Sequence, residues 1–241
     1  MSRFITVISA TYNAAEHLPR LIASLREQTC KDFDWIVADG GSNDNTLSII
    51  EDTVDVLTLL LKGPDFGIYD ALNKAIEKTT TPYYLVVGAD DVLNSMAIEH
   101  YIKAVIDSQA DIISANVLTS DFGILRPGRG QVWRFGHLAY VSQHAIGSLI
   151  KTALHKKIGF YSKYYPIAAD RHFLLKAIEN YHCVIHEADF MAGVYSCQGM
   201  SSTRYYEALL DIFKVDYALS KHPLRTSFYS LMKYIVNIRR F

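Results

Sequence analysis

The sequence predicts an α/β fold, a mostly parallel central sheet flanked by helices. Three observations predict it. Short runs rich in β-branched and aromatic residues alternate with segments of helical period through the first half of the chain. Their lengths suit right-handed βαβ units. Three of the runs also end in polar clusters, Thr11-Tyr12-Asn13, Asp39-Gly40-Gly41 and Asp90-Asp91. In a parallel sheet those ends share the C-terminal edge, where open α/β folds bind their ligands.

The elements follow in order. Phe4–Ala10 reads as a first strand, and Asn13 is a candidate cap for a helix whose apolar positions Leu18, Leu21, Ile22 and Leu25 recur at helical spacing. Trp35–Asp39 is a second strand, entering the turn cluster Gly40-Gly41-Ser42-Asn43-Asp44-Asn45. A short helix over Thr46–Glu51 precedes a third strand over Val54–Leu61. Ile68–Lys78 is helical, with Ile68, Leu72, Ala75 and Ile76 on one face. The strand opening at Tyr83 runs to Asp90-Asp91, followed by a helix over Ser95–Ser108 and a strand over Ile112–Val117. Beyond it the pattern loosens through Gly123, Gly128, Gly130 and Gly136, with a strand expected at Gln131–Phe135. Leu149–Ile158 and Arg171–Tyr181 read as helices, and Cys183–His186 as extended.

Composition narrows the function classes. With 241 residues, half of them apolar, the chain suits one large or two small domains with a substantial core. A net charge of -1 provides no bulk basic field, so no nucleic-acid partner is expected. Three scattered cysteines, Cys30, Cys183 and Cys197, suit neither a disulfide framework nor a zinc site. With no secretory apolar region at the N-terminus and no bilayer-length apolar run, the expectation is a cytoplasmic protein.

The motifs point to a phosphate ligand held without a phosphate loop. No GxxxxGK[ST] and no GxGxxG is present, which disfavours P-loop chemistry and hydride transfer. Asp90 and Asp91 at a strand end suit a divalent cation that also holds a diphosphate, since Mg2+ takes only one or two protein carboxylates. The other reading makes them turn or cap residues before the helix at Ser95.

Five motifs in order carry a resemblance. Ser9-Ala10-Thr11-Tyr12-Asn13, Ser24-Leu25-Arg26-Glu27-Gln28 and Asp39 through Thr46 resemble the opening of family 2 glycosyltransferases of the GT-A fold. Gly63-Pro64-Asp65-Phe66-Gly67-Ile68-Tyr69-Asp70-Ala71-Leu72-Asn73-Lys74 is similar to a signature of a bacterial surface-polysaccharide subgroup. Gly88-Ala89-Asp90-Asp91 stands where that family carries its metal-binding aspartates, Ala168-Ala169-Asp170 where it carries its base, and Gln198-Gly199-Met200-Ser201 resembles a late glycine–serine motif. The resemblance covers about residues 4 to 203.

The resemblance implies roles. Thr11, Tyr12, Asn13, Asp39 and Asp65 would line the nucleotide site, with Asp39 accepting from a pyrimidine imide N–H. Asp91 would ligate Mg2+ or Mn2+, with Asp90 beside it toward the ribose or donor sugar. Asp170 would be the catalytic general base of an inverting displacement. The donor would be a nucleotide-diphosphate sugar, UDP-linked, and the acceptor a saccharide, lipid-linked, in O-antigen, capsule or exopolysaccharide assembly. On this reading 1–203 is the GT-A domain, with a nucleotide-sugar half at 1–117 and an acceptor half at 118–203.

Structural readings stand beside these. Asp39 also suits the start of a tight turn, and Asp170 an N-cap. Asp70 and Asn73 are further candidates, for the site or for structure alone, and Tyr69 is expected to pack. Gln143-His144 reverses the family's His-Gln order; His144 suits either a ligand contact or a structural role. Residues 204–241 read as a helical tail whose charges from Ser220 onward, Lys221, Arg225, Lys233, Arg239 and Arg240, are all basic. Such a tail suits peripheral contact with the inner face of the cytoplasmic membrane, or docking on the core. A catalytically inactive binding relative and a sugar nucleotidyltransferase are the competing functions. The second calls for a glycine-rich turn with a basic residue near the N-terminus, which Thr11-Tyr12-Asn13 does not supply.

Overall fold

A computed structural model describes residues 3–121, 123–127, 138, 140–142, 144–196, 204–219 and 224. Among them, β1 (Ile5–Thr11), β2 (Phe33–Asp39), β3 (Leu59–Lys62), β4 (Tyr83–Val86), β5 (Val92–Leu93), β6 (Ile112–Thr119), β7 (Gly123–Leu125), β8 (Ser148–Lys151) and β9 (Ile185–Tyr195) build one sheet. Its order is β3-β2-β1-β4-β8-β6-β9-β5, with β7 on β6. The first four strands are parallel neighbours, as are β6 and β9. β8 enters antiparallel between β4 and β6, and β5 pairs antiparallel with β9.

The helices are α1 (Leu18–Arg26), α2 (Thr46–Glu51), α3 (Ile68–Lys78), α4 (Ala97–Ser108), α5 (Leu154–Ile158), α6 (Ala169–Tyr181) and α7 (Tyr205–Leu219). Strand alternation divides the core into two layers. Ile5, Val7, Trp35 and Val37 face the layer containing α1 and α4, while Ile8, Ile36 and Ala38 face α3, α5 and α6. The α1 stripe Leu18, Leu21, Ile22 and Leu25 is buried as its spacing predicts. Each such side chain contributes about 1.5–3 kcal/mol of burial. Trp35 keeps its indole N–H satisfied through Ser9 Oγ at 3.1 Å.

Five expectations need correction. Asn13 does not cap α1: His17 occupies that position without a side-chain cap bond, and Asn13 takes a left-handed φ of 49° in the loop before it. The third strand is confined to Leu59–Lys62, because Thr53 and its neighbours form a turn in which Leu57 N–H bonds the Thr53 carbonyl. Ser148–Lys151 is strand, not helix; only Leu154–Ile158 coils. Ile68, expected on the apolar face of α3, is exposed at its N-terminus, while Ala71, Leu72, Ala75 and Ile76 are buried. Asp170 is not an N-cap, since α6 begins at Ala169 with Ala168 in the cap position. The expected strand at Gln131–Phe135, Gln143, the Gln198–Ser201 motif and the basic stretch of the tail lie outside the described residues.

Candidate active site

The loops that leave β1 and β2 are zipped together by side chains. Asn13 Oδ1 accepts from the Asn43 N–H at 2.8 Å, and the Asn13 N–H donates to Ser42 Oγ at 2.8 Å. Ala14 N–H donates to Thr46 Oγ1 at 2.7 Å. Asparagine tolerates the left-handed conformation this reciprocal pairing requires.

Asp39 organises the junction. Its Oδ1 accepts from the N–H groups of Gly41 and Ser42, at 3.0 and 2.9 Å. Oδ2 accepts from Thr11 Oγ1 at 2.8 Å and Ser42 Oγ at 2.6 Å. Four donors fill the lone-pair sites of a carboxylate, so an incoming imide would have to displace one of the hydroxyls. Thr11 is buried with Asp39, whereas Tyr12 is 63% exposed and stands at the rim. Asp65 comes from the loop after β3, its Oδ1 accepting from the Gly67 N–H at 2.8 Å. Its other oxygen lies 2.5 Å from where a Cβ on Gly40 would stand, so any side chain after Asp39 would push the Asp65 carboxylate out of this position.

Asp90 and Asp91 occupy a turn beyond β4, whose pairing is extended by the Val87 N–H bonding the Ile8 carbonyl at 2.9 Å. Asp91 is almost fully buried, while Asp90 is half-buried. The N–H groups of Gly88 and Ser196 reach Asp91 at 3.0 and 3.4 Å. Burial, and then the charge of Asp90, push the Asp91 carboxyl up to about 7. His144 Nδ1 lies 3.8 Å from Asp91 Oδ2, and the His144 ring stacks on Tyr195 with centroids 3.9 Å apart. Burial pushes that imidazole down to about 4, so it stands neutral beside the carboxyl. Gly88 packs so closely that a Cβ there would meet Asp90 Oδ1 at 2.9 Å and Asp91 Oδ2 at 3.0 Å.

A divalent cation fits this turn. A buried carboxylate pressed against a second one is uncompensated, and a cation would relieve both. Among the described residues no group of three or more acidic, His or Cys side chains forms a ready cage. That suits an ion held by one or two carboxylates and otherwise by substrate phosphates and water.

Asp170 lies in the first turn of α6. The Tyr69 hydroxyl stands 2.8 Å from its Oδ1 and 2.9 Å from the Ile167 carbonyl, and the Arg171 N–H donates to Oδ1 at 2.7 Å. Burial raises the Asp170 carboxyl above its usual range, opposed by the bonds from Tyr69 and Arg171. Tyr69 opens α3, which follows the C-terminal end of β3. Asp170 therefore reaches the same sheet edge as Asp39 and Asp91.

Asp70 and Asn73 clasp the segment that leads to Asp170, and Asp70 also accepts from the Phe66 N–H of the Asp65 loop at 3.3 Å. Asp70 pairs with Lys163 and Lys74, both at 2.9 Å, and the bond from Lys163 is the main cause holding its carboxyl down at about 2. Asn73 exchanges two bonds with the Tyr161 backbone, at 2.9 and 3.0 Å. From the other side, Asp211 of α7 accepts from the N–H groups of Ile167 and Ala168 at 2.9 and 3.1 Å. Arg171 forms a bidentate pair with Asp216 at 2.7 and 2.9 Å, and Val215 of α7 is buried against Ala168 and Leu175. Sequence reasoning missed Ser196, Asp211 and Asp216, and gave Ser42 and Gly88 no role apart from their motifs. Tyr69 stands on the apolar face of its helix with Leu72 and Ile76 and packs on the core, so its spacing read as packing alone.

An α/β sheet edge that gathers an acidic turn and a separate half-buried carboxylate suits a group-transfer enzyme. The family model for glycosyl transferase family 2 matches residues 6–167, and the chain belongs to that family; it is a glycosyltransferase of the GT-A fold. It is 28% identical over 180 residues to a PGL/p-HBAD biosynthesis glycosyltransferase of Mycobacterium bovis, covering 73% of this chain and 70% of that one. A 103-residue stretch is 30% identical to the teichoic acid poly(glycerol phosphate) polymerase of Staphylococcus epidermidis, covering 41% of this chain and 14% of the polymerase. The fold is similar to that of S. aureus TarS 1-349 in complex with UDP-GlcNAc, with a TM-score of 0.72, 20% identity, and coverage of 94% of this chain and 70% of that one. It is also similar to the mannosyltransferase PcManGT from Pyrobaculum calidifontis in complex with GDP-Man and Mn2+, with a TM-score of 0.70, 18% identity, and coverage of 94% and 69%.

Proposed function

We propose that this chain is an inverting, divalent-metal-dependent glycosyltransferase that moves a sugar from a UDP-linked donor to a lipid-linked saccharide in bacterial surface-glycan assembly. The observation that carries the reading is the pair of carboxyls, buried Asp91 and half-buried Asp170, brought to one sheet edge by separate elements and both raised by desolvation. Asp91, with Asp90 beside it, would hold Mg2+ or Mn2+ together with the donor diphosphate. When bound, the ion supplies Lewis-acid stabilisation of the departing nucleoside diphosphate.

The chain's own residues do the rest. Thr11, Tyr12, Asn13, Asp39 and Asp65 receive the nucleoside, Tyr12 from its exposed position at the rim. Asp170 takes the proton of the acceptor hydroxyl as its oxygen bonds to the anomeric carbon; the bond to the diphosphate oxygen breaks and its electron pair leaves with the nucleotide. A single displacement inverts the anomeric centre and needs no covalent nucleophile. A carboxyl with a raised pKa is the stronger base for this step.

A UDP-linked donor is supported by the UDP-GlcNAc complex of TarS and a metal by the Mn2+ complex of PcManGT. A surface-glycan acceptor is supported by the named roles of the mycobacterial and staphylococcal relatives. Among the described residues no helix is long and apolar enough to cross a membrane; the basic stretch from Lys221 to Arg240 supports peripheral contact at the inner face of the cytoplasmic membrane.

The test is calorimetric titration with UDP and with GDP, each with and without Mn2+, followed by a nucleotide-sugar screen and NMR of the product's anomeric configuration. Mn2+-dependent UDP binding that Asp91→Asn weakens supports the reading. Binding of neither nucleotide, or retention of the anomeric configuration, refutes it.

A further inference from the structure

The subgroup signature on α3 is not spent on the donor. Tyr69, Asp70 and Asn73 lie within one stripe of the helix, and all three bind the segment from Tyr161 to Asp170. Only Tyr69 reaches the carboxylate itself, across 101 positions of sequence. Its ring is fixed by packing on Tyr161, with centroids 5.4 Å apart. Beneath them the hydroxyls of Tyr161 and Tyr84 are 2.9 Å apart, and Tyr84 is closed off by His155 Nε2 at 2.8 Å.

The hydroxyl has one proton and two acceptors, Asp170 Oδ1 and the Ile167 carbonyl. Charge decides between them: an ionised Asp170 is the stronger acceptor, and a protonated one releases the proton to Ile167. With the Arg171 N–H also on Oδ1, the carboxylate is pinned through one oxygen. Among the described residues Oδ2 receives no hydrogen bond.

We propose that Tyr69 is the positioning residue of the base: its hydroxyl pins Asp170 through Oδ1 and leaves Oδ2 to take the acceptor proton. The proposal rests on Asp170 being the base. Burial and the neighbouring carboxylate raise the Tyr69 phenol well above its ordinary value, so it stays a donor throughout the working range. The other groups facing Asp170 are the phenols of Tyr84 from β4 and Tyr161 from the preceding segment, and Arg171 on α6 itself. Arg171 is neutralised by Asp216 of α7, and Asp211 of α7 faces the backbone before the base. Of these, Tyr69 supplies the only side-chain hydrogen bond to the carboxylate among the described residues.

The test follows the Asp170 carboxyl by 13C NMR in aspartate-labelled protein, assigned with Asp170→Asn, in the wild type and in Tyr69→Phe. Losing a donor to the ionised form should raise the Asp170 pKa by about one unit. With the nucleotide-sugar that the donor screen selects, kcat should fall about 10- to 100-fold, its acidic limb should move up by the same shift, and donor KM and Mn2+-dependent UDP affinity should stay at wild-type values. 3,5-Difluorotyrosine at position 69, a stronger donor of nearly the same shape, should shift the Asp170 pKa downward. This keeps the test decisive if Tyr69→Phe folds poorly. An Asp170 titration that neither variant moves overturns the proposal. Full turnover in Asp170→Asn would instead remove the base reading while leaving the measured Tyr69–Asp170 coupling intact, so the two failures are distinguishable.

Discussion

Removing the charge of Asp91 should make the metal-free protein relatively more stable as the solution becomes alkaline. Asp91 titrates near 7 in the fold against 3.8 for the ordinary side chain. Between those values the folded state binds more protons than the unfolded chain, so the stability this group contributes is present below the unfolded pKa and is lost as pH rises through the folded one. About three units at 1.36 kcal/mol each give a loss of about 4 kcal/mol. Asp91→Asn retains an acceptor for the Gly88 N–H but does not titrate. The assay is urea unfolding of both proteins with a chelator present, in steps from pH 4.5 to 8. Taking the difference between them cancels remote titrations such as that of His155. Wild type should lose about 3 kcal/mol of this relative to Asp91→Asn between pH 4.5 and 8, the remainder falling below that range. Mn2+ at 100 times its dissociation constant should return about 2.7 kcal/mol to wild type at pH 8 and nothing to the variant. A flat difference with pH would refute the claim that the carboxylate is buried uncompensated, and with it the physical case for a cation there.

Gly88→Ala should weaken Mn2+-dependent UDP binding at least about tenfold, since the added Cβ displaces both Asp90 and Asp91; calorimetry reads it, and circular dichroism should show an unchanged fold. Asp211→Ala strips the acceptor from the Ile167 and Ala168 N–H groups. It should cost about 1–3 kcal/mol in urea unfolding and lower kcat while leaving UDP affinity unchanged. His155 is buried neutral, and its pKa of about 4 lies below the ordinary 6.5. Its stabilisation is therefore present above pH 6.5 and lost as pH falls toward 4, a change of about 3 kcal/mol that His155→Gln should remove from the acid limb of the stability profile.

The relation between sequence and structure differs from element to element. Thr46–Glu51 and Ile68–Lys78 are helices at the residues their periodicity predicts, because turn chemistry and amphipathic spacing are local properties. The carboxylates at Asp39 and Asp90-Asp91 were legible for the same reason: a buried run that stops at acidic residues marks a sheet edge wherever it occurs. Leu149-Ile150-Lys151 was not, since a short apolar run suits a strand or a buried helix equally. Pairing with Tyr83–Leu85 and Ile112–Ser114 decided it.

By itself, then, the sequence determined the alternation of elements through the first half, the family, and which polar residues end the strands, all carried by motifs of neighbouring residues. Only the tertiary structure decided what each of those residues does to another. It made Asp70 and Asn73 a clasp around the segment before Asp170, filled Asp39 with four donors, and set Tyr69 against Asp170. It also brought α7 to hold the backbone before the base. The contacts from Thr11 to Asp39 and from Tyr69 to Asp170 join residues 28 and 101 positions apart. Their consequences are set by desolvation, which is a property of the packed interior and not of any local stretch of chain.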